Sequence, residues 1–501
     1  MKTKHFPIDP HRPKYHFTAP GEFAVPGDPN GAFFADGVYH LMFLYQVRET
    51  KGFHWGHLTS TDLLNWERHA DALTVDEGDG GCFSGGAFLD DDGTAYLTFW
   101  KFAAKDPEKD RSGIAMAKSR PPYEVWERME PIAINATYWG VRDEVIDGET
   151  VHLGNADPSN IWKADGVYYM QTGNLCVLNE FGREEDSPAF YQGDWTELYR
   201  SADLQNWEFV RRFYTHEETG DDLPDRTEDD MCPSFLPLYD APSGGNKTDK
   251  WLQLCIAHNK GCRYYIGTLE NETYHPIIHE RMSWKDKAFF APEALIDDKN
   301  RHIMWAWLLD EDQAKQDDTY GWSGVYSFPR VLWWDEGRGC LRMAPAEELE
   351  TLQKNPASVA RLEDGIVPVI NGTSFRLKAK WSVDAPGKLG FRVKMSADGR
   401  EYTEIYADRE KGVLVMDLRK SGENDPWNIL EEAPLKLMDG EAVELDIFVD
   451  GCVVEVYCNE LQAICRRAFP TDPASGTVQL LDGAPMPEML KVWEMGETYI
   501  R

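Results

Sequence analysis

The sequence predicts an all-β protein in which a five-bladed β-propeller precedes a C-terminal β-sandwich. Three observations predict it: hairpin-like segments recur in the first 340 residues, a second motif recurs beside them, and two-residue alternation dominates after about residue 356. We expect the propeller over residues 1–340, a linker helix over residues 341–355 and the sandwich over residues 356–501.

The recurring segments share an apolar strand start, an Asp-rich turn with Gly or Asn, and an aromatic strand. Each predicts a β-hairpin, and one has a longer loop. They are FFADGVYHLMF, FLDDDGTAYLTFW, IWKADGVYYMQTG, SFLPLYDAPSGGNKTDKWLQLCIAH and ALIDDKNRHIMWAWL. The inner strands begin, at intervals of 56 to 75 residues, near Asp28, Ser84, Asp157, Cys232 and Ala291. That spacing suits four strands per blade around a central funnel, the alternative being unrelated hairpins in one β-sandwich.

A second motif marks the outer strands of equivalent blades. It reads STDLLNWERH from Ser60 and SADLQNWEFV from Ser201. Ser or Asp is expected to start a turn in each copy, and Trp66 and Trp207 are expected to pack between neighbouring sheets.

The last third of the chain has a different pattern. RMAPAEELETLQ reads as a short helical linker, and the segments that follow it alternate strictly, as in FRLKAKWSV and AVELDIFVDGCVVEVYCN. Such alternation predicts an antiparallel sandwich, which we expect to serve packing or accessory binding. The aromatic run VLWWDEG is expected to seal the last blade; the alternative for Trp333 or Trp334 is a subunit contact in a homo-oligomer.

Composition narrows the class of ligand. The 52 basic and 86 acidic residues give a net charge of −34, which repels nucleic acid and anionic lipid, so neither nucleic acid nor a membrane is expected as a partner. A neutral small molecule such as a carbohydrate fits this charge. The start, MKTKHFPIDPHRPKYHF, has no apolar run typical of a signal peptide, so we expect a cytoplasmic protein.

The nine cysteines are scattered without CxxC pairs, which favours reduced thiols over disulfides or metal ligands. HxH and HExxH spacings are absent as well. These absences argue against a zinc enzyme, and the leading hypothesis given below requires neither a metal nor an organic cofactor.

Two aspartates lie at the starts of blades in the same context. Asp28 lies in GDPNG and Asp157 in ADPSN. A following Pro is expected to hold each Asp in an extended conformation at the entry to its strand. One Asp-Pro pair is usually a turn signal, but two in the same register predict carboxylates that meet in the funnel.

Several motifs, in order, resemble those of glycoside hydrolase family 32, the β-fructofuranosidases, over nearly the whole chain. They are GDPNG with FLYQ, FHWGHLTSTDLLNWERH, CFSGGAFLDDDG, ADPSNIW, MCPSF, FAPEAL, GWSGVYSFPR and VDGCVVEVYCN. The resemblance implies a retaining glycosidase in which Asp28 attacks the anomeric carbon and a second acid protonates the leaving oxygen. It also implies that Asp157 holds sugar hydroxyls. The residues implied to shape the fructosyl pocket are Asn30, Gln46, Trp55 and Ser84.

Three departures from the family pattern fall in the same pocket. Gly27 and Ala156 replace the Asn and Arg that usually precede the two aspartates, and Met231 replaces the catalytic Glu. Because Met cannot exchange a proton, it counts only among the pocket-lining residues. The predicted proton donors are Asp230, if a bulge turns it inward, and Glu293, which stands where the family usually has Gln.

The leading hypothesis is a retaining glycosidase acting on a fructofuranoside, a difructose-type substrate or a related furanoside such as an arabinofuranoside. A fructosyltransferase, in which another sugar replaces water, is the close alternative. The non-enzymatic alternatives are a catalytically silent sugar-binding propeller, favoured by Met231 and Ala156, and a protein-interaction propeller.

Overall fold

A computed structural model describes residues 6–18, 24–47, 50–75, 79–103, 112–136, 140–215, 228–309, 313–423, 425 and 428–501. Over those ranges the chain folds into five antiparallel sheets that follow one another, a separate hairpin, and two further sheets that form a sandwich. No helix among the described residues is both long enough and apolar enough to span a membrane.

The first three blades and the separate hairpin take up the chain as far as Thr215. Blade one comprises β1 (Ala24–Ala35), β2 (Val38–Val47), β3 (Phe53–Ser60) and β4 (Glu67–Arg68). Blade two comprises β5 (Asp79–Cys82), β6 (Ala87–Leu89), β7 (Ala95–Ala103), β8 (Ser112–Ser119), β9 (Glu127–Arg128) and β10 (Ile134–Ala136). The hairpin is β11 (Val141–Ile146) with β12 (Glu149–Gly154). Blade three comprises β13 (Ala156–Pro158), β14 (Trp162–Ala164), β15 (Val167–Gly173), β16 (Trp195–Ser201) and β17 (Glu208–Thr215).

Short helical stretches interrupt blades three and five. In blade three they are α1 (Leu175–Val177), a π-helical turn (Leu178–Gly182) and a 3₁₀ turn (Ala189–Tyr191).

Blade four comprises β18 (Met231–Ala241), β19 (Gly244–Ala257), β20 (Gly261–Glu270) and β21 (Thr273–Arg281). Blade five comprises β22 (Phe289–Ile296), β23 (His302–Leu308), β24 (Arg330–Asp335) and β25 (Cys340–Pro345), with α2 (Gln313–Tyr320) after β23.

The inner strands contact one another in a closed ring, as a propeller requires. β1 lies against β6 and β22, β13 lies against β7 and β18, and β18 lies against β22. Blade two differs from the simple repeat because Ser84 lies between β5 and β6 rather than in one continuous inner strand. The fold class is confirmed: a five-bladed propeller followed by a sandwich.

Local chemistry explains the repeated elements. Asp36–Gly37 and Asp165–Gly166 have φ values of 50° and 80° and of 50° and 79°, the left-handed pair that a two-residue hairpin turn needs. In the second motif, Asp62 accepts the N–H groups of Leu64 and Asn65 at 3.0 and 2.8 Å.

The second copy of that motif makes the same turn. Asp203 accepts the N–H groups of Gln205 and Asn206 at 2.9 and 2.8 Å. Trp66 packs in a cluster with Trp305 of blade five, and Trp207 packs in a cluster with Ile114 of blade two. The prediction that these tryptophans lie between sheets is confirmed.

Two sheets enclose the second large core. One sheet has the order β26–β36–β27–β32–β33–β34, and the other has the order β31–β30–β29–β28–β35. Their bounds are β26 (Gln353–Ser358), β27 (Ser374–Lys380), β28 (Lys388–Met395), β29 (Thr403–Asp408), β30 (Val413–Asp417), β31 (Leu430–Pro434), β32 (Glu444–Asp450), β33 (Val453–Cys458), β34 (Gln462–Arg467), β35 (Thr477–Leu480) and β36 (Met489–Met495). The last propeller strand ends at Pro345 and is followed by a 3₁₀ helix, Glu347–Leu352, so the connection is shorter than the predicted linker over residues 341–355.

A buried polar network joins the two domains. Asp450 accepts the backbone N–H groups of Lys14, Tyr15 and His16 at 2.7, 2.8 and 2.6 Å. Glu455, fully buried, pairs with Arg330 of blade five at 3.0 Å. Since the acids belong to the sandwich and Arg330 to the propeller, these contacts fix one domain on the other.

The aromatic run before the junction is part of the core. Trp333 and Trp334 are 5% and 3% exposed and pack in two different apolar clusters. Burial within the monomer excludes the alternative that either ring forms a subunit contact. All nine cysteines lie among the described residues, and each is a free thiol.

Candidate active site

The inner strands share a backbone irregularity at the residue that precedes a proline. Asp157, Cys232 and Ala291 have φ values of 40°, 49° and 42°, in the left-handed region. The pairing register shifts at each of these residues, and at Asp28 in blade one, as in a β-bulge. Bulges re-aim side chains beside functional sites, and a strained φ of this kind costs about 1–3 kcal/mol. The expectation that Pro158 keeps Asp157 extended is therefore wrong: the bulge holds it left-handed.

These bulges bring Asp28, Ser84, Asp157 and Cys232 together. Ser84 Oγ donates a hydrogen bond to Asp28 Oδ2 at 2.6 Å. Cys232 Sγ lies 3.8 Å from Asp28 Oδ2 and 3.4 Å from Asp157 Oδ2, so one thiol touches both carboxylates. The sequence predicts that residues 28 and 157 meet, and the structure brings them together.

The two carboxyl groups have unequal electrostatic surroundings. Burial raises the pKa of Asp157, and the negative charge of Asp28 raises it further, to about 6. Burial also raises the pKa of Asp28, but the hydrogen bond from Ser84, the charge of His258 and the thiol of Cys232 oppose that rise. The net effect is a raised pKa for both carboxyls, with the hydrogen bond from Ser84 favouring the ionised form of Asp28.

Asn30 holds the backbone next to Asp28 through two hydrogen bonds. Its Nδ2 donates to the Asp28 carbonyl at 3.2 Å, and its Oδ1 accepts the N–H of Gly85 at 3.2 Å. Asn30 is 2% exposed, so it fixes the backbone of blades one and two beside the cavity.

Two other predicted pocket residues donate hydrogen bonds to backbone carbonyls. Trp55 is fully buried in the core between blades, where its Nε1 donates to the Phe83 carbonyl at 3.2 Å. Gln46 Nε2 donates to the Lys51 carbonyl at 3.1 Å. Their predicted contact with the sugar stays a prediction.

An apolar cluster stands where the family pattern has charged groups. Met231 and Ala156, 1% and 0% exposed, belong to one cluster with Phe290, Ala291 and Ile256. The two substitutions are therefore adjacent in space, and an acid and a base have been replaced together by packed apolar side chains. An acid restored alone at position 231 would be desolvated without its partner.

Gly27 shows how the third departure is accommodated. A Cβ at this position would lie 3.8 Å from the ring of Trp307, an ordinary contact distance. The indole of Trp307 therefore lies next to Gly27, the residue before Asp28.

The two predicted proton donors are buried inside the protein. Asp230 is 0% exposed and accepts a hydrogen bond from Gln253 Nε2 at 2.9 Å. Glu293 is 5% exposed and accepts the N–H of Ala32 at 2.9 Å. Burial raises the pKa of both carboxyls well above the usual range. Their role as donors stays a prediction, against which these buried contacts argue.

The structure adds a histidine that the sequence did not single out. His258, in the turn between β19 and β20, binds Asp229 twice. Its ring Nδ1 lies 2.5 Å from Oδ2, and its backbone N–H donates to Oδ1 at 3.0 Å. The imidazole pKa is lowered by burial, but Asp229, Asp157 and Asp28 outweigh burial and raise it. His258 in IAHNKG carries no recognisable signal in the sequence, because only the return of β19 to the cavity gives the histidine its place.

The serine at the cavity offers a direct test of these electrostatics. We expect Ser84→Ala to raise the pKa of Asp28, because it removes the short hydrogen bond that favours the ionised carboxylate. A charged hydrogen bond of this kind is worth about 1.5–3 kcal/mol. Titration of the Asp28 carboxyl by NMR in the wild type and in Ser84→Ala measures the shift. Ser60→Ala, at the end of β3 in the blade that carries Asp28, is the matched control. An unchanged Asp28 titration in Ser84→Ala would contradict the expectation.

Comparison with known families identifies the class to which this propeller and sandwich belong. Residues 16–345 match the glycosyl hydrolases family 32 N-terminal domain, and residues 343–494 match the family 32 C-terminal domain. The chain therefore belongs to glycosyl hydrolase family 32 and is a glycosidase. The resemblance stated from the motifs is confirmed.

Relatives and solved structures agree with this membership. The chain is 25% identical to levanase of Bacillus subtilis, over 94% of this chain and 68% of the levanase, and 26% identical to raffinose invertase of Escherichia coli, over 91% and 89%. The crystal structure of fructan 1-exohydrolase IIa from Cichorium intybus is similar with a TM-score of 0.79 and 21% identity, covering 99% of each chain. That similarity supports the fold.

Proposed function

We propose that the protein is a retaining glycosidase that cleaves a fructofuranoside or a closely related furanoside, with Asp28 as the nucleophile. One observation carries the proposal: Asp28 and Asp157 meet across Cys232 in the funnel of a family 32 propeller. The relatives are named for activity on fructans and on raffinose, which supports a fructosyl substrate.

In the proposed reaction, an Asp28 oxygen bonds to the anomeric carbon while the bond from that carbon to the leaving oxygen breaks. Water then attacks the same carbon and releases Asp28, so the configuration is retained. The hydrogen bond from Ser84 holds Asp28 in place and favours its ionised form. Asp157, whose pKa is about 6, is largely ionised at pH 7 and binds sugar hydroxyls as positive charge develops on the ring.

Substrate choice follows from the apolar cluster. Ala156 and Met231 present no charged group to the ring or to the leaving group. We therefore propose a terminal fructosyl unit bound mainly through Asp28 and Asp157, with an aglycone that accepts apolar contact from Phe290 and Trp307.

The experiment is incubation with sucrose, 1-kestose, inulin, levan and an arabinofuranoside, with products followed by chromatography. NMR of the first product formed reports its anomeric configuration. We expect free fructose with retained configuration. Larger fructosides at high substrate concentration would indicate a fructosyltransferase, and calorimetric binding without cleavage would indicate a silent sugar-binding propeller and overturn the proposal.

The predicted proton donors are tested separately with Asp230→Asn and Glu293→Gln. If either carboxyl is the donor, its variant loses about 10²–10⁴-fold in kcat/KM on substrates with alcohol leaving groups. Full turnover by both variants would rule out this relocation of the acid. Melting temperatures of the two variants control for unfolding, because both side chains are buried.

A further inference from the structure

We infer that His258, held by Asp229, is the proton donor and proton acceptor of this site, in place of the acid that Met231 replaces. The inference rests on the proposed function, since it assigns a role within that reaction. The imidazole packs against the cavity residue Phe290, and the buried carboxylate of Asp229 binds its Nδ1.

Both carboxylate oxygens of Asp229 hold His258 in place. Oδ1 accepts the backbone N–H of His258 at 3.0 Å, and Oδ2 binds ring Nδ1 at 2.5 Å. Asp229 is 1% exposed, so water does little to screen its charge from the imidazole. A carboxylate bound to Nδ1 sets the ring orientation and leaves Nε2 to exchange a proton.

His258 is exposed to solvent, whereas Asp28 is half-buried and Asp157 is buried. Its ring packs edge-on against Phe290 of the cavity cluster, with centroids 5.8 Å apart. Its side chain is 48% exposed, whereas Asp157 is 6% exposed. We therefore place the terminal sugar against the deeper group, Asp157, and the departing aglycone on the side of the more exposed His258. The proton donor belongs on the aglycone side.

The charges around the imidazole keep a proton available near neutral pH. The groups that act on it are Asp229 at the start of β18, Asp157 of β13 and Asp28 of β1, all negative when ionised. Together they outweigh the opposing effect of burial and raise the pKa of His258 above its ordinary value of 6.5. Lys260 in the same turn is paired with Glu228.

The other carboxyl candidates lack this placement. Asp230 is bound to Gln253 and Glu293 to the backbone of Ala32, both in closed surroundings. Asp157 is deep and shares Cys232 with the nucleophile. Among the described residues, His258 combines a solvent-exposed side chain with a charge that, when the ring is protonated, acts on Asp28.

The proton balance closes with these groups alone. In the first step Asp28 Oδ bonds to the anomeric carbon, the bond from that carbon to the leaving oxygen breaks, and imidazolium Nε2 gives its proton to that oxygen. In the second step water oxygen bonds to the carbon, the Asp28 ester bond breaks, and neutral Nε2 takes a proton from the water. The enzyme returns to its starting protonation state.

The test compares His258→Gln with the wild type on two substrates of different leaving ability. On sucrose or 1-kestose we expect kcat/KM to fall by about 10²–10⁴-fold, because an alkoxide cannot leave without a proton. On 4-nitrophenyl β-D-fructofuranoside, whose leaving group needs little protonation, we expect a loss within about tenfold. Added azide, which needs no general base, should restore kcat on the aryl substrate and form a fructosyl azide.

The pH profile provides a second readout. Because the donor must be protonated, wild-type kcat/KM on sucrose should fall as pH rises through the raised pKa of His258, above pH 6.5. His258→Gln should lose this alkaline limb. Asp229→Asn should move it to lower pH, because it removes the interactions that raise the imidazole pKa most. His275→Gln, an exposed histidine on β21 of the same blade, is the matched control.

The outcomes separate the two proposals. If the wild type cleaves sucrose, 1-kestose or the aryl fructoside and His258→Gln keeps its rate on sucrose or 1-kestose within threefold, the inference is overturned and the function stands. Equal losses on both leaving groups, in a variant with unchanged melting temperature, also overturn it. If the wild type cleaves none of the fructosides, the proposed function falls, and this role for His258 falls with it.

Discussion

Asp28→Asn is expected to abolish fructoside cleavage while the protein stays folded. The amide has nearly the shape of the carboxylate and keeps an oxygen for the Ser84 hydroxyl, but it cannot form the glycosyl ester. Loss of a nucleophile costs about 10⁴-fold or more in kcat. Kinetics on sucrose and on 4-nitrophenyl β-D-fructofuranoside measure the loss, which should be equal for both leaving groups because both need the nucleophile.

Although Asp28→Asn is expected to lose activity, it should keep or increase the stability of the folded protein. Burial raises the pKa of Asp28, so the ionised carboxylate destabilises the folded state once the pH exceeds the value of the unfolded chain. Asp28→Asn removes that cost and should melt at the same temperature as the wild type or higher at pH 7. Asp36→Asn, in the hairpin turn of the same blade, is the matched control. Measurable turnover by purified Asp28→Asn would exclude Asp28 as the nucleophile.

Glu455→Gln is expected to cause the largest loss of stability. Glu455 is fully buried and pairs with Arg330, whose guanidinium also lies 4.3 Å from the Phe289 ring. Removing one partner leaves the other charge buried without compensation, which costs about 3–5 kcal/mol. Chemical denaturation at pH 7 measures the difference. Glu460→Gln is the control, since Glu460 is 53% exposed in its pair with Arg342 and such pairs contribute at most about 1 kcal/mol.

The effect of Glu455→Gln should also depend on pH. Burial opposes ionisation of Glu455, but Arg330 and His16 outweigh it and lower the pKa to about 2 from 4.5. The stabilisation from this carboxylate is therefore present above pH 4.5 and is lost as the pH falls from 4.5 toward 2. A difference between variant and wild type that stays constant down to pH 2 would contradict this account.

Much of the architecture is readable from the chain because local and long-range signals agree. Asp-Gly turns between aromatic strands predict hairpins, and the same turn chemistry at Asp62 and Asp203 predicts equivalent outer strands. Regular spacing then places Asp28 and Asp157 at one axis. These features need only periodicity and turn preferences, which are local properties of sequence.

The details of the cavity are less readable because they depend on backbone irregularities. A Pro after Asp157 predicts an extended residue, yet the bulge gives it a φ of 40°. Asp230 precedes Met231 in the chain, but its side chain lies on Gln253, inside blade four. His258 lies 29 residues beyond Asp229 and reaches it only through the pairing of β18 with β19, which no local motif encodes.

Contacts between the first and the last parts of this sequence also have a consequence for biosynthesis. Lys14 binds Asp450 across 436 residues, and the backbone of Trp66 exchanges hydrogen bonds with Tyr499 and Arg501. While the chain is still being translated, the first blade therefore lacks the partners that complete it. The hydrogen bonds of Trp66 cannot form until residues 499–501 have left the ribosome.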